Sequence, residues 1–198
     1  RGLYSRGCNI MVKKKIAIAG KAKSGKNTLA DLLGQESKLK YQVFAFADPI
    51  KEMVMQMWPN TNRNVLWGPS ELRSLYVPDS DDKICFRDVI VDLGTYGRSI
   101  YNNIWVNCTL NKIYPLLEED LELAIISDVR YMNEYNKIKD DFITIRIIRT
   151  NNEYTYDHDS EKDLDVVDNS EFDYVVYNDS DIDSLKENCR VLLQEILK

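Results

Sequence analysis

The chain has 198 residues, of which 44% are hydrophobic and 29% charged, and a formal net charge of −6. That length can bury a sizeable core, and the acidic balance argues against a protein that coats nucleic acid non-specifically. The one histidine, His158, excludes a zinc site built on two histidines and a Ser-His-Asp triad centred anywhere else.

Arg1–Ile10 lacks the apolar stretch of a signal peptide and is expected to be a tag or upstream remnant, with Met11 as the natural start. Lys15–Ala19 (KIAIA) reads as a short buried strand ending at Gly20. Lys26–Gly34 reads as a helix from the spacing of Leu29, Leu32 and Leu33, closed by its terminal glycine. Tyr41–Ala47 is a second strand, after which Asp48-Pro49 opens a helix with Asp as cap and Pro at its first position. Trp58–Asp82 is rich in Pro, Asn, Gly and Ser, with one helical turn at Ser70–Leu75.

Ile84–Tyr101 and Ile104–Leu117 read as helices, the first with a break at Leu93-Gly94-Thr95. Leu121–Ser127 is a strand, Tyr131–Lys139 a helix and Phe142–Ile148 another strand. Thr150–Ser170 is a polar loop, Phe172–Tyr177 a last strand and Asp181–Leu197 a closing amphipathic helix. Five strands separated by helices predict an α/β fold with a parallel sheet covered on both faces.

Charge is uneven along the chain: residues 151–198 carry −10 and residues 1–150 carry +4. An anionic ligand is therefore expected in the first three quarters, and the acidic end reads as a solvated surface. The cysteines, at 8, 85, 108 and 189, form no C-x-x-C pair and read as free thiols of a reducing, cytoplasmic setting. No run approaches 18 apolar residues, so no membrane partner is expected.

The strongest chemical signal is Gly20-Lys21-Ala22-Lys23-Ser24-Gly25-Lys26-Asn27-Thr28, the G-x-x-x-x-G-K pattern of a P-loop. Glycines let successive N–H groups turn inward toward phosphate oxygens, the helix start adds a positive end, and Lys26 supplies a point charge. The run follows an apolar strand and opens a leucine-spaced helix, which is the context such a loop requires. It predicts ATP held by Gly20, Lys23, Ser24, Gly25, Lys26, Asn27 and Thr28. Asn27 stands where a Ser or Thr usually binds Mg²⁺, so the metal is expected through Thr28, water or a carboxylate elsewhere. That departure favours a small-molecule kinase over a GTPase switch or motor ATPase.

Ser127-Asp128-Val129-Arg130 falls at the carboxyl end of a strand, where open α/β sheets bind ligands. Asp128 could carry Mg²⁺ through water or accept a proton, and Arg130 could bridge a transferring phosphoryl group; a helix cap with a surface arginine is the bland alternative. Arg87 and Arg98 are candidates to clamp an acceptor phosphate, while Trp105 could stack on a base or simply pack in the core. Asp48 and Lys51 sit at another strand end and could touch the acceptor. Asn178, after the last strand, is placed where such folds contact adenine. His158 reads as an exposed loop residue, in a stretch where a lid over ATP is expected.

The order GKAKSGKNT, FAFADPIKE, LGT…R…W, ISDVR, IRIIR, HDSE and FDYVVYND resembles bacteriophage-type deoxynucleoside monophosphate kinases from about Lys15 to Leu197. The resemblance implies a three-layer P-loop NTPase fold in one kinase domain over 11–198, with a helical acceptor-binding region at about 58–117 and a lid at about 150–170. It also implies transfer of the γ-phosphoryl group of ATP to a (deoxy)nucleoside monophosphate, with Lys26, Arg130 and Asp128 central and Mg²⁺ organised by Thr28 and Asp128. An intracellular viral setting fits it, and a homodimer is compatible with it. The phosphomevalonate kinases are similar too, sharing GKxKSGKD-like and SD-x-R motifs, and a non-catalytic ATP-binding P-loop protein is the third reading.

Overall fold

The computed structural model describes residues 14–78, 81–150 and 163–198. Five strands, β1 (Lys14–Ala19), β2 (Tyr41–Phe44), β3 (Leu123–Val129), β4 (Ile143–Ile148) and β5 (Tyr174–Tyr177), form one sheet in the order β2-β3-β1-β4-β5. Every neighbouring pair is parallel. Parallel neighbours require crossovers, and helices supply them: α1 (Lys26–Ser37), α2 (Asp48–Met57), α3 (Arg63–Trp67), α4 (Phe86–Ile100), α5 (Ile104–Glu119), α6 (Met132–Ile138) and α7 (Ile182–Ile196).

The period-2 alternation of the strands sorts the core into two layers. Ile16 and Ile18 of β1, with Ile125, Ile145 and Ile147, pack against α1 and α7 through Leu29, Leu33, Leu185 and Leu193. Ala17 and Ala19, with Ala124 and Ile126, face α5 and α6 through Leu110, Ile113 and Ile138. The result is the three-layer α/β arrangement expected from the sequence. A third, smaller cluster of Val54, Leu66, Val77 and Phe86 joins α2, α3 and α4. There Trp58 meets Phe86 edge-on at 5.9 Å between ring centroids.

Four local readings are corrected. α1 does not stop at Gly34 but runs to Ser37 and closes at Lys38, which adopts a left-handed φ of 57°. β2 ends at Phe44 rather than Ala47, because the next three N–H groups turn to carboxylates: Ala45 donates to Asp48, and Phe46 and Ala47 donate to Asp128. α3 arises inside the stretch read as loop, capped by the Asn62 side chain accepting from Asn64 N. α4 has no break at Leu93-Gly94-Thr95. Its glycines serve close packing instead: a Cβ at Gly97 would lie 2.3 Å from Trp105 Cζ2, and one at Gly94 would lie 3.3 Å from Ile50 Cδ1.

Candidate active site

The loop from Gly20 to Lys26 joins β1 to α1 at the carboxyl edge of the sheet. Gly25 takes a φ of 102°, which L side chains rarely adopt, and Asn178 Nδ2 donates to Ser24 O at 2.9 Å. Asn178, placed just after β5, therefore ties down the loop backbone itself. Lys26 is buried, and its ammonium donates to Gly20 O at 2.6 Å and Lys21 O at 2.7 Å, so the positive charge is folded over the loop. Ser24 Oγ is buried without a hydrogen-bond partner among the described residues. The first N–H groups of a helix have no intrahelical acceptor, so α1 adds donors at the same place. A cluster of donors with one buried hydroxyl unspent suits a polyphosphate.

Beside the loop lies a cavity of about 790 Å³. Six cations line it: Lys26, Lys51, Arg73, Arg87, Arg98 and Arg130. Four carboxylates line it as well: Asp31, Asp48, Asp128 and Glu134. α4 contributes Arg87, Ile90, Val91, Gly94 and Arg98, residues spaced at three and four so that one helical face forms a wall. Arg87 donates to Ser70 O at 2.7 Å, and Arg73 donates to Leu66 O at 2.9 Å. Burial, then the charges of Arg87 and Arg130, push the Arg73 guanidinium below its ordinary pKa. The Arg98 guanidinium lies 4.2 Å from the Tyr131 ring centroid and donates to Tyr131 Oη at 3.2 Å.

The carboxylates have structural commitments. Asp48 accepts from Ala45 N at 2.8 Å, Trp67 Nε1 at 2.9 Å and Lys51 Nζ at 3.2 Å. Asp128 accepts from Phe46 N at 2.7 Å and Ala47 N at 3.2 Å. Burial raises the Asp128 pKa, against the Phe46 hydrogen bond and the charges of Lys51 and Arg130. Glu134 accepts from Arg130 N at 2.8 Å and Tyr131 N at 3.0 Å. Burial, reinforced by the charge of Asp128, pushes its pKa up to about 8.

The expected site residues divide accordingly. Lys26, Asn27, Asp48, Lys51, Arg87, Arg98, Trp105, Asp128 and Arg130 share the cavity wall. Trp105 is buried, with its Nε1 donating to Gly94 O, so most of its ring packs in the core while it contributes to the cavity wall. Thr28 does not join Asp128: it is exposed on α1 and off the cavity, while Asn27 lines it. Lys23 is exposed as well, with a left-handed φ of 57°.

His158, Arg1–Ile10 and most of the expected lid lie outside the described residues. The end of that loop, Asp163–Val166, is tied to its surroundings by Lys21 Nζ to Asp165 at 2.9 Å and Met132 N to Asp163 at 2.6 Å. Sequence reasoning passed over Arg73, Trp67, Tyr131 and Glu134. Glu134 had a local signal, a Glu three positions into a helix.

The deoxynucleotide monophosphate kinase family matches residues 70–189. The chain belongs to this family. It is thus a P-loop kinase of a nucleotide or other small molecule, a phosphotransferase class that uses ATP, typically with Mg²⁺. Among solved structures, dephospho-CoA kinase from Campylobacter jejuni is similar over 92% of this chain and 96% of its own, at 14% identity and a TM-score of 0.50. Shikimate kinase from Aquifex aeolicus vf5 covers 91% of this chain and 96% of its own, at 13% identity and a TM-score of 0.43. The first of these, at 14% identity, speaks to the fold alone. No curated protein matches the chain in sequence. Among the described residues, no helix is long and apolar enough to cross a membrane.

Proposed function

We propose that the protein transfers the γ-phosphoryl group of ATP to a deoxynucleoside monophosphate, giving the diphosphate and ADP. The observation that carries this reading is one cavity in which the P-loop lysine and four arginines share a wall. Two phosphorylated substrates must meet head to head, and their mutual repulsion is the first obstacle. Six cations against four carboxylates, three of the latter engaged by backbone N–H groups, leave a positive interior.

On this reading the loop N–H groups, Ser24 and Lys26 hold the ATP phosphates. Arg73 and Arg87 hold the acceptor phosphate, with Arg130 bridging toward the transferred group. Phosphoryl transfer asks the protein for in-line positioning and charge neutralisation more than for covalent chemistry. The acceptor phosphate oxygen is already a competent nucleophile, so no imidazole base is needed. Mg²⁺ would neutralise phosphate charge when bound. No group of three acidic, His or Cys residues converges among the described residues, so protein donors would supply part of its shell, with Asp128 and Asn27 as the cavity-lining candidates.

The test is ADP formation from ATP and Mg²⁺ with a panel of deoxy- and ribonucleoside monophosphates and mevalonate phosphate. Turnover on one or more deoxynucleoside monophosphates is expected, and Lys26→Ala should abolish it together with ATP binding. A wild-type protein that phosphorylates only mevalonate phosphate, or nothing, overturns the reading.

A further inference from the structure

We infer that Glu134 is a positioning residue that sets two of the cavity's arginines from beneath, an inference that rests on the kinase reading above. The side chain is only 4% exposed, and no phosphate-handling role has been assigned to it. One of its oxygens, Oε2, accepts both hydrogen bonds, from Arg130 N at 2.8 Å and from Tyr131 N at 3.0 Å. These N–H groups lie between the end of β3 and the start of α6, and Glu134, third residue of α6, closes the capping box of that helix on Tyr131 N.

The consequence reaches both arginines by different routes. Fixing the backbone at Arg130 fixes the direction in which its side chain leaves toward the cavity. Fixing the backbone at Tyr131 fixes the ring over which the Arg98 guanidinium lies at 4.2 Å, and the hydroxyl to which Arg98 donates at 3.2 Å. Arg98 comes from α4 and Arg130 from the end of β3, elements far apart in the chain. Asn133, next to Glu134, adds a brace to the α4–α5 junction by donating to Asn102 O at 2.9 Å. One buried carboxyl therefore registers the wall built by α4 against the wall built by β3 and α6.

Because a single oxygen accepts both bonds, an amide can replace the carboxyl. Glu134→Gln is expected to restore most of what Glu134→Ala loses, and Glu134→Asp, one methylene shorter, should behave like Ala. Displacing a catalytic group by about 1 Å can cost on the order of 100-fold in rate. Glu134→Ala should accordingly lower kcat by about 10- to 100-fold and raise the acceptor KM, with ATP affinity unchanged as the control for a folded P-loop. Glu134→Asp serves as the second probe if the Ala variant fails to fold. In an Arg130→Ala background, adding Glu134→Ala should cost less than it does in wild type, since one of the two arginines it acts through is already removed and only the route through Tyr131 to Arg98 remains.

Fully multiplicative losses in the double variant, or Ala and Asp variants with wild-type kcat and KM, overturn the role of Glu134 alone. A Gln variant as impaired as Ala overturns it too, because the charge rather than the two hydrogen bonds would then matter. A wild-type protein that turns over none of the monophosphates removes the kinase reading and this inference with it.

Discussion

Gly25→Ala probes the junction on which the P-loop rests. At a φ of 102° an alanine lies outside even the left-handed helical well, at a cost of about 1–2 kcal/mol. Its Cβ would also stand 2.5 Å from Asn178 Nδ2, so that amide must swing away and abandon Ser24 O. That lost bond is worth about 1 kcal/mol. Together the terms come to roughly 2–3 kcal/mol, which in a chain of this size lowers Tm by about 4–12 °C. The strain falls within the loop that would cradle phosphate, so ATP affinity should drop about tenfold or more, measured by titration calorimetry beside a thermal melt. Asn178→Ala alone should lose about 1 kcal/mol and little ATP affinity. The double variant should lose less than the sum, since the amide that the new methyl strikes is gone while the backbone strain remains. A Gly25→Ala protein with wild-type Tm and ATP affinity, or strictly additive losses, would refute the reasoning.

Gly97→Ala should destabilise the protein by about 1–3 kcal/mol in urea unfolding despite alanine's better helix propensity, because its methyl would strike the buried Trp105 ring at 2.3 Å; unchanged stability would show that the α4–α5 contact can relax. Stability should also depend on pH through Glu134, whose folded pKa of about 8 exceeds the ordinary 4.5. Between those values the folded state holds more protons than the unfolded one, so this contribution is fully present below about pH 4.5 and is lost as pH rises through 8, at up to about 1.4 kcal/mol per unit. Glu134→Gln cannot ionise, and the difference between its stability–pH curve and that of wild type should carry that slope; a flat difference would place the titration elsewhere.

The P-loop and the layer order were legible because their signals are local. Glycine and lysine spacing builds the loop within one short segment, and alternation along β1 already separates Ile16 and Ile18 from Ala17 and Ala19. Arg73 was not legible, since its stretch carries no apolar periodicity and its guanidinium is held by a backbone carbonyl, Leu66 O, that no side-chain pattern announces. The supposed break in α4 failed for a related reason. A glycine that ends a helix and one that makes room for a packed neighbour look alike in a sequence; at Gly94 only the position of Ile50, 3.3 Å from where a Cβ would stand, tells them apart. Thr28, one step beyond Asn27 on α1, is exposed and does not share the wall that Asn27 and Asp128 line.

Carboxylates in a cavity meant for phosphates pose an electrostatic problem, and three of them answer it the same way. Asp48, Asp128 and Glu134 each accept from backbone N–H groups in the segments between strand end and helix, at Ala45, at Phe46 and Ala47, and at Arg130 and Tyr131. Those segments are the ones that deliver Lys51 and Arg130 to the wall. Strand-end loops over a sheet have N–H groups with no ladder to join, and a buried carbonyl-type oxygen is what satisfies them. Burial meanwhile raises the pKa of Asp128 and Glu134, which weakens the negative charge that an incoming phosphate would meet. Three of the four acids thus shape the backbone that carries the cations, and the cations of residues 1–150 outnumber the acids on the cavity wall.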